Sequence, residues 1–229
     1  MVLKLYFDLF SQPARSLYIF LKLAKIPFEE CRVNLGKGEH LTKEFAETKS
    51  KIQKIPFIHH GDFRLNESIG IVRYLSREYS IADHWYPKDS KKQAKVDEFL
   101  EWNHLNIRLN CSSYFLVKWL MPLKNGKQPS EEECKNLTRR MEKSLEDFER
   151  IFLSNERFLF GNSVSYADVH AACEIEQTRM AGYDVRDHFP KIKTWIESVR
   201  SECNPVYDQA HKFVNMMAEG NEKQLNSKL

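Results

Sequence analysis

The sequence predicts an α/β domain over residues 1–80 and an all-α domain over 90–229, joined by a linker over 81–89. Three observations predict it. Apolar residues alternate with a period of two in the opening stretch and in two later short stretches. Between those stretches apolar residues recur at helical spacing. Beyond Asp89 only the helical spacing persists, punctuated by helix-start signatures.

Leu3, Leu5 and Phe7 alternate with Lys4 and Tyr6 as a half-buried strand. From Pro13 onward Leu17, Phe20, Leu21 and Ala24 fall on one helix face. Proline suits a first helical turn, where its missing N–H would have had no partner. Ser11 therefore stands at a strand-to-helix turn, beside free N–H groups and a dipole end that favour negative charge. Gln12 is either the cap of this helix or a ligand contact.

After Ile26-Pro27, Cys31, Val33 and Leu35 mark a second strand over 28–35, and Gly36-Lys37-Gly38-Glu39 is a turn. Leu41 and Phe45 suggest a short helix over 40–48. Ile55 to His59 and Phe63-Arg64-Leu65 flank His60-Gly61-Asp62 as an antiparallel hairpin. Glu67-Ser68 then opens a helix carrying Ile69, Ile71, Val72 and Leu75. The order βαβ-α-ββα fits a mixed four-stranded sheet with one parallel crossover and a terminal hairpin. Such a domain is near the lower limit of self-sufficiency, so the helical part is expected to cover one face.

In the helical part, Val96, Phe99, Leu100 and Leu105 begin a helix directed towards Met121-Pro122. Ser130-Glu131-Glu132-Glu133 reads as a capping box ahead of Leu137, Met141, Leu145, Phe148 and Phe152. Ser165-Tyr166-Ala167-Asp168 is a second start signature, expected to cap a buried helix. Pro190 opens a helix with Ile192, Trp195, Ile196 and Val199, and Pro205 opens one more ending in Phe213, Met216 and Met217. From Glu219 the chain is polar and expected to be loose.

The 229 residues are 42% hydrophobic with 15 Phe, ample for a core and unlike a disordered chain. Net charge is +3 from 35 basic and 32 acidic residues, with no basic stripe, so a nucleic-acid partner is not expected. Five scattered cysteines form no C-x-x-C, which speaks against a disulfide framework or a zinc site. The histidines form no pair at ligand spacing, and no metal is expected. Lys4 and Asp8 interrupt the opening apolar stretch, and no run approaches a membrane span. The expectation is a cytoplasmic protein with no membrane partner. Walker A, G-x-G-x-x-G and G-x-S-x-G motifs are absent.

Taken in order, Ser11-Gln12-Pro13-Ala14-Arg15, Lys37-Gly38-Glu39-His40-Leu41, Lys54-Ile55-Pro56 and Glu67-Ser68 with Ile71-Val72-Arg73-Tyr74-Leu75 resemble the cytosolic glutathione transferases. Ser-Gln-Pro-x-Arg with Lys-Gly-x-His is most similar to the theta class. The likeness extends through Trp85-Tyr86-Pro87, the stretch from Val96 to Trp102, and Ser165-Tyr166-Ala167-Asp168 with Gly161 upstream. The resemblance implies a thioredoxin-like N-terminal domain, a helical C-terminal domain with a hydrophobic pocket, and a homodimer. It implies that the Ser11 hydroxyl hydrogen-bonds the sulfur of glutathione, the co-substrate. It further implies that the Ile55 backbone, next to a cis Pro56, pairs with the cysteinyl backbone. Glu67 and Ser68 would take the γ-glutamyl end, and His40 and Lys54 the glycyl carboxylate. Gln12 and Arg108 are the remaining candidates, Gln12 for glutathione and Arg108 for the electrophile.

The chain departs from the family pattern at Thr48-Lys49-Ser50-Lys51, where many members carry Asn-Pro. It also has Asn103-His104-Leu105-Asn106, with no acid, where some members offer an acidic residue to the neighbouring subunit. The activity implied is conjugation of glutathione thiolate to small hydrophobic electrophiles. Glutathione-dependent peroxide reduction and a non-catalytic ligand-binding module are the alternatives.

Overall fold

A computed structural model describes the backbone of residues 1–226 and the side chains of 1–221. Four strands, β1 (Leu3–Phe7), β2 (Glu29–Arg32), β3 (Phe57–His60) and β4 (Phe63–Asn66), form one sheet in the order β2-β1-β3-β4. β1 pairs parallel with β2 and antiparallel with β3, and β3 pairs antiparallel with β4. The parallel pair needs a crossover, supplied by α1 (Gln12–Leu23). The short α2 (Lys43–Thr48) follows a 3-10 turn at Glu39–Leu41, and α3 (Ser68–Glu78) follows the hairpin. This is the mixed four-stranded sheet that the sequence predicts, in the thioredoxin-like arrangement that the resemblance implies.

Both faces of the sheet are covered. Leu3, Leu5, Phe7 and Ile58 belong to the main core with α1 and α3. Tyr6 lies on the opposite face, stacked on Phe57 at 4.5 Å and packed with Val33 and Phe45 of α2. Tyr6 thus reads as the polar side of an alternating strand but is buried, because its ring has an aromatic partner. β2 is shorter than the expected 28–35 and ends at Arg32; the next amide, Val33 N, still donates to Phe7 O at 2.9 Å.

The helical part begins with one rod over 90–125. Its parts are α4 (Ser90–Asn103), α5 (Leu109–Phe115) and α6 (Met121–Asn125), linked by π-type segments at His104–Arg108 and Leu116–Leu120. Pro122 does not stop this rod; it occupies the first turn of α6, and Gly126 in the left-handed conformation ends it. α7 (Glu131–Ile151) starts at Ser130, whose Oγ accepts from Glu133 N at 3.1 Å. Only this half of the expected capping box forms there.

The reciprocal box forms instead at α8 (Tyr166–Glu176), between Ser165 and Asp168. Every residue of α8 is buried, and α8 packs on α1, so one continuous core joins the sheet to the helices. A 3-10 turn at Gln177–Ala181 extends it. α9 (Pro190–Cys203) follows as predicted. The single helix expected after Pro205 is two, α10 (Val206–Ala210) and α11 (Lys212–Asn226), divided at His211. The tail expected to be loose from Glu219 is helical through Asn226, and positions 227–229 lie outside the described residues.

Candidate functional site

The site is built at the junction of β1 and α1. Asp8 shapes the turn: its Oδ1 accepts from Phe10 N at 3.0 Å and its Oδ2 from Leu35 N at 3.1 Å. Ser11 N donates to Asp8 O at 3.1 Å, and Ser11 O accepts from Arg15 N at 3.0 Å. Ser11, with extended backbone at φ −83° and ψ 127°, is the cap residue of α1, and its hydroxyl makes no capping bond. The hydroxyl is therefore not committed to the helix end. Gln12, read from the sequence as the cap or a ligand contact, is instead the first residue inside the helix.

A cleft opens beside this turn. Its walls bring together five of the sequence candidates: Lys54, Pro56, Glu67, Ser68 and Arg108. Pro13, from the turn itself, also lines it. The Ile55–Pro56 peptide is cis. Glu67 holds φ 65°, a conformation that costs an ordinary side chain about 1–3 kcal/mol and that clusters at ligand sites. It is the cap residue of α3 and exposed, while Ser68 begins the helix and is 8% exposed. Ser11, Gln12, His40 and Ile55 do not line this cleft.

His40 lies in the 3-10 turn before α2. Its carbonyl accepts from Gln53 Nε2 at 3.0 Å, and its ring Nδ1 is buried without a partner. Burial, then the nearby Lys124 charge, pushes the His40 ring below its ordinary pKa. Gln53, at φ 54°, ties the loop before Lys54 to both His40 and Thr42. Ser50, within the departing Thr48-Lys49-Ser50-Lys51 stretch, donates to Asn66 Oδ1 at 2.8 Å.

Arg108 reaches the cleft from the π-type segment of the rod, with its guanidinium bound to the buried carboxylate of Glu174. Such segments displace the residues that follow by one position around the helix, which is one way a rod aims a single side chain. The Arg108–Glu174 pair is not a surface pair, since Glu174 is fully buried.

Two residues that the sequence reading passes over also line the cleft, His104 and His170. His170 comes from α8, and its Nδ1 lies 3.1 Å from Ser16 Oγ and 3.4 Å from Tyr166 Oη. Burial, with Arg108 and His104 nearby, pushes its pKa down to about 3. Nothing in the sequence near His170 marks it, because only the packing of α8 on α1 brings it here. Among the described residues no group of three or more His, Cys, Asp or Glu could hold a metal.

An aromatic cluster stands beside Ser11. Phe10 lies 5.8 Å from Phe115, 6.0 Å from Trp119 and 5.8 Å from Phe213, ring centre to centre. Met180, Val214 and Met217 complete this cluster. In sequence these residues read only as apolar positions of separate helices.

Sequence and fold are both shared with known proteins. Residues 1–77 match the family model "Glutathione S-transferase, N-terminal domain", and residues 114–202 match "Glutathione S-transferase, C-terminal domain". The chain is 39% identical over 215 residues to glutathione S-transferase theta-1 of Bos taurus, covering 93% of this chain and 89% of the relative. It superposes on the apo form of human glutathione-S-transferase T1-1 with a TM-score of 0.89 at 36% identity, covering 95% of this chain and 91% of that one. It is equally similar, at TM-score 0.89 and 36% identity, to a human theta-class glutathione transferase in complex with the glutathione conjugate of 1-menaphthyl sulfate. That match covers 98% of this chain and 92% of the other.

Proposed function

The chain belongs to the glutathione transferases, theta class, and on that premise we propose that Ser11 donates the hydrogen bond that keeps the glutathione sulfur as thiolate. The protein is a glutathione S-transferase, and its reaction is conjugation of glutathione to an electrophile. A free thiol has a pKa near about 8.5 and is mostly unreactive at neutral pH. A hydroxyl donor and the α1 N-terminus both favour thiolate over thiol, and the thiol proton passes to solvent. The sulfur then bonds to the electrophilic carbon, and the leaving group departs with the electron pair of the bond that breaks. The uncommitted hydroxyl of Ser11 supports this role.

The observation that carries the glutathione reading is the charge arrangement around Glu67. Glutathione presents one ammonium and two carboxylates. Glu67 suits the ammonium, while Ser68 and the first amides of α3 suit the γ-glutamyl carboxylate. Lys54 suits the glycyl carboxylate, with His40 alongside and Gln12 on the α1 side. The Ile55 backbone beside cis Pro56 is assigned to the cysteinyl backbone. Arg108 and the Phe10, Phe115, Trp119 and Phe213 rings are assigned to the hydrophobic electrophile.

Leu105, Leu109 and Phe63 are exposed apolar side chains that a second copy would cover, in keeping with a homodimer. Five free cysteines fit a reducing, cytoplasmic setting and a detoxifying role there. Among the described residues no helix is long and apolar enough to cross a membrane. The chemistry proposed calls for no metal. Calorimetric titration of Glu67→Gln with glutathione tests the placement: affinity is expected to fall about tenfold or more. Unchanged affinity would remove the γ-glutamyl group from Glu67.

A further inference from the structure

Arg15 is fully buried, and among the described residues no carboxylate forms an ion pair with it; Glu174 feels its charge through space but is bound to Arg108. Its Nη1 donates to Leu9 O at 2.9 Å and Phe10 O at 3.2 Å. Its Nη2 donates to Cys173 O at 3.1 Å and to Gln177 Oε1 at 2.5 Å. All four acceptors are neutral. The two carbonyls on the Nη1 side belong to the residues immediately before Ser11, so the guanidinium sits under that turn.

The neighbouring acids have partners of their own. Glu174 is bound by Arg108, and Glu176 by Arg179 at 2.8 Å and Arg186 at 3.6 Å. Tyr207 of α10 and His211, at the break before α11, also lie near Arg15, and both are neutral at physiological pH. The Tyr207 phenol is pushed up by burial, and His211 is pushed well down by burial and by Arg15 itself. The His211 Nδ1 donates to Tyr207 O at 2.9 Å, leaving its Nε2 as a buried acceptor without a donor. Cys173, which supplies a carbonyl to Arg15, is held as a thiol by burial. Asp184 pairs with both Arg179 and Arg186, so the four arginines face three carboxylates and the interior here keeps one net positive charge.

A buried guanidinium without a counter-ion is expensive, and a carboxylate at position 177 would relieve it. The chain has an amide there instead, fully buried, with Gln177 Nε2 and Arg15 Nε both left without acceptors. A glutamate would supply an acceptor where there is now a donor. We propose that Arg15 is a positioning residue whose uncompensated charge stabilises the glutathione thiolate through the Ser11 turn, and that Gln177 preserves this by being an amide. A charge in the protein interior acts over longer distances than one in water, and this one reinforces the N-terminus of α1. The inference rests on the reading of Ser11 as the thiolate donor.

Gln177→Glu is the test, because it keeps shape and hydrogen bond while cancelling the charge. Bound glutathione is titrated by the ultraviolet absorbance of its thiolate, alongside thermal unfolding. The expected result is a bound-thiol pKa higher by about one pH unit, a tenfold loss of thiolate, in a protein at least as stable as the wild type. Gln177→Met, which removes the hydrogen bond but keeps the charge, is expected to leave the thiol pKa in place. If Gln177→Glu leaves the pKa unmoved, or Gln177→Met raises it as much as Ser11→Ala does, Arg15 only braces the turn and the inference is overturned. If Ser11→Ala itself moves nothing, the reading of Ser11 fails, and the inference with it.

Discussion

The guanidinium of Arg108, 32% exposed at the cleft, is bound to the carboxylate of Glu174, which is buried completely. Burial raises the Glu174 pKa, and Arg108, with a smaller contribution from Arg15, opposes that rise. Among the described residues the remaining Oε2 of Glu174 has no hydrogen-bond partner, so Arg108 is the main group that makes the charge tolerable. Arg108→Ala is expected to destabilise the protein by about 2–3 kcal/mol, somewhat less than a fully buried pair because Arg108 is partly solvated. The paired replacement Arg108→Met with Glu174→Met should recover most of that in urea unfolding. If turnover stays low once stability returns, Arg108 acts on the electrophile; if turnover returns with stability, its role is only the ion pair.

Asp168 is expected to be the most sensitive single position of the helical part. Its carboxylate accepts from Leu159 N, Ser165 N and Trp195 Nε1, each at 2.9 Å, and from Ser165 Oγ at 2.6 Å. Asp168→Ala would leave these buried donors unanswered and should cost about 3 kcal/mol or more in denaturant unfolding. Ser165→Ala, which removes one donor and one cap, should cost about 1 kcal/mol. An Asp168→Ala loss no larger than that of Ser165→Ala would contradict the buried network.

Acid lability should trace in part to His170. Its pKa lies at about 3 in the folded protein, against an ordinary value of 6.5. Between those values the unfolded chain binds a proton that the folded protein excludes, so stability falls as pH drops from about 6.5 towards 3. The slope from this residue is about 1.4 kcal/mol per pH unit. His211, pushed in the same direction, adds to it. Unfolding of His170→Asn across this range should show a shallower pH dependence than the wild type by about that slope. Parallel curves would mean that His170 titrates normally.

The sheet is legible in the sequence because the face that meets the main core takes Leu3, Leu5 and Phe7, which alternate with the pleat. Glu67-Ser68 and Ser11 are legible for a similar reason, since each marks a change from strand to helix. What sits between the two parts of the chain is not legible. His170 and Glu174 are ordinary letters within helices, and Arg15 is marked only as the end of a motif; the environment of all three exists only once α8 packs on α1. The rod over 90–125 hides in the same way. Its two π-type segments break the heptad-like spacing, so the direction of Arg108 cannot be counted from Val96 or Phe99. The polar stretch after Glu219 looks loose because its composition is polar, yet α11 carries it through Asn226. Phe213, Val214 and Met217 at the start of that helix anchor it in the cluster around Phe10 and Phe115.

The most direct measurement is the pKa of glutathione's thiol when bound to the wild type and to Ser11→Ala, read from thiolate absorbance across pH. The hydroxyl is assigned to the sulfur, and the remaining glutathione contacts are assigned to other residues. Bound-thiol pKa is therefore expected to rise by about one to two pH units in Ser11→Ala, with glutathione affinity changed less than about threefold. An unchanged pKa with unchanged turnover at neutral pH would contradict the assignment of Ser11.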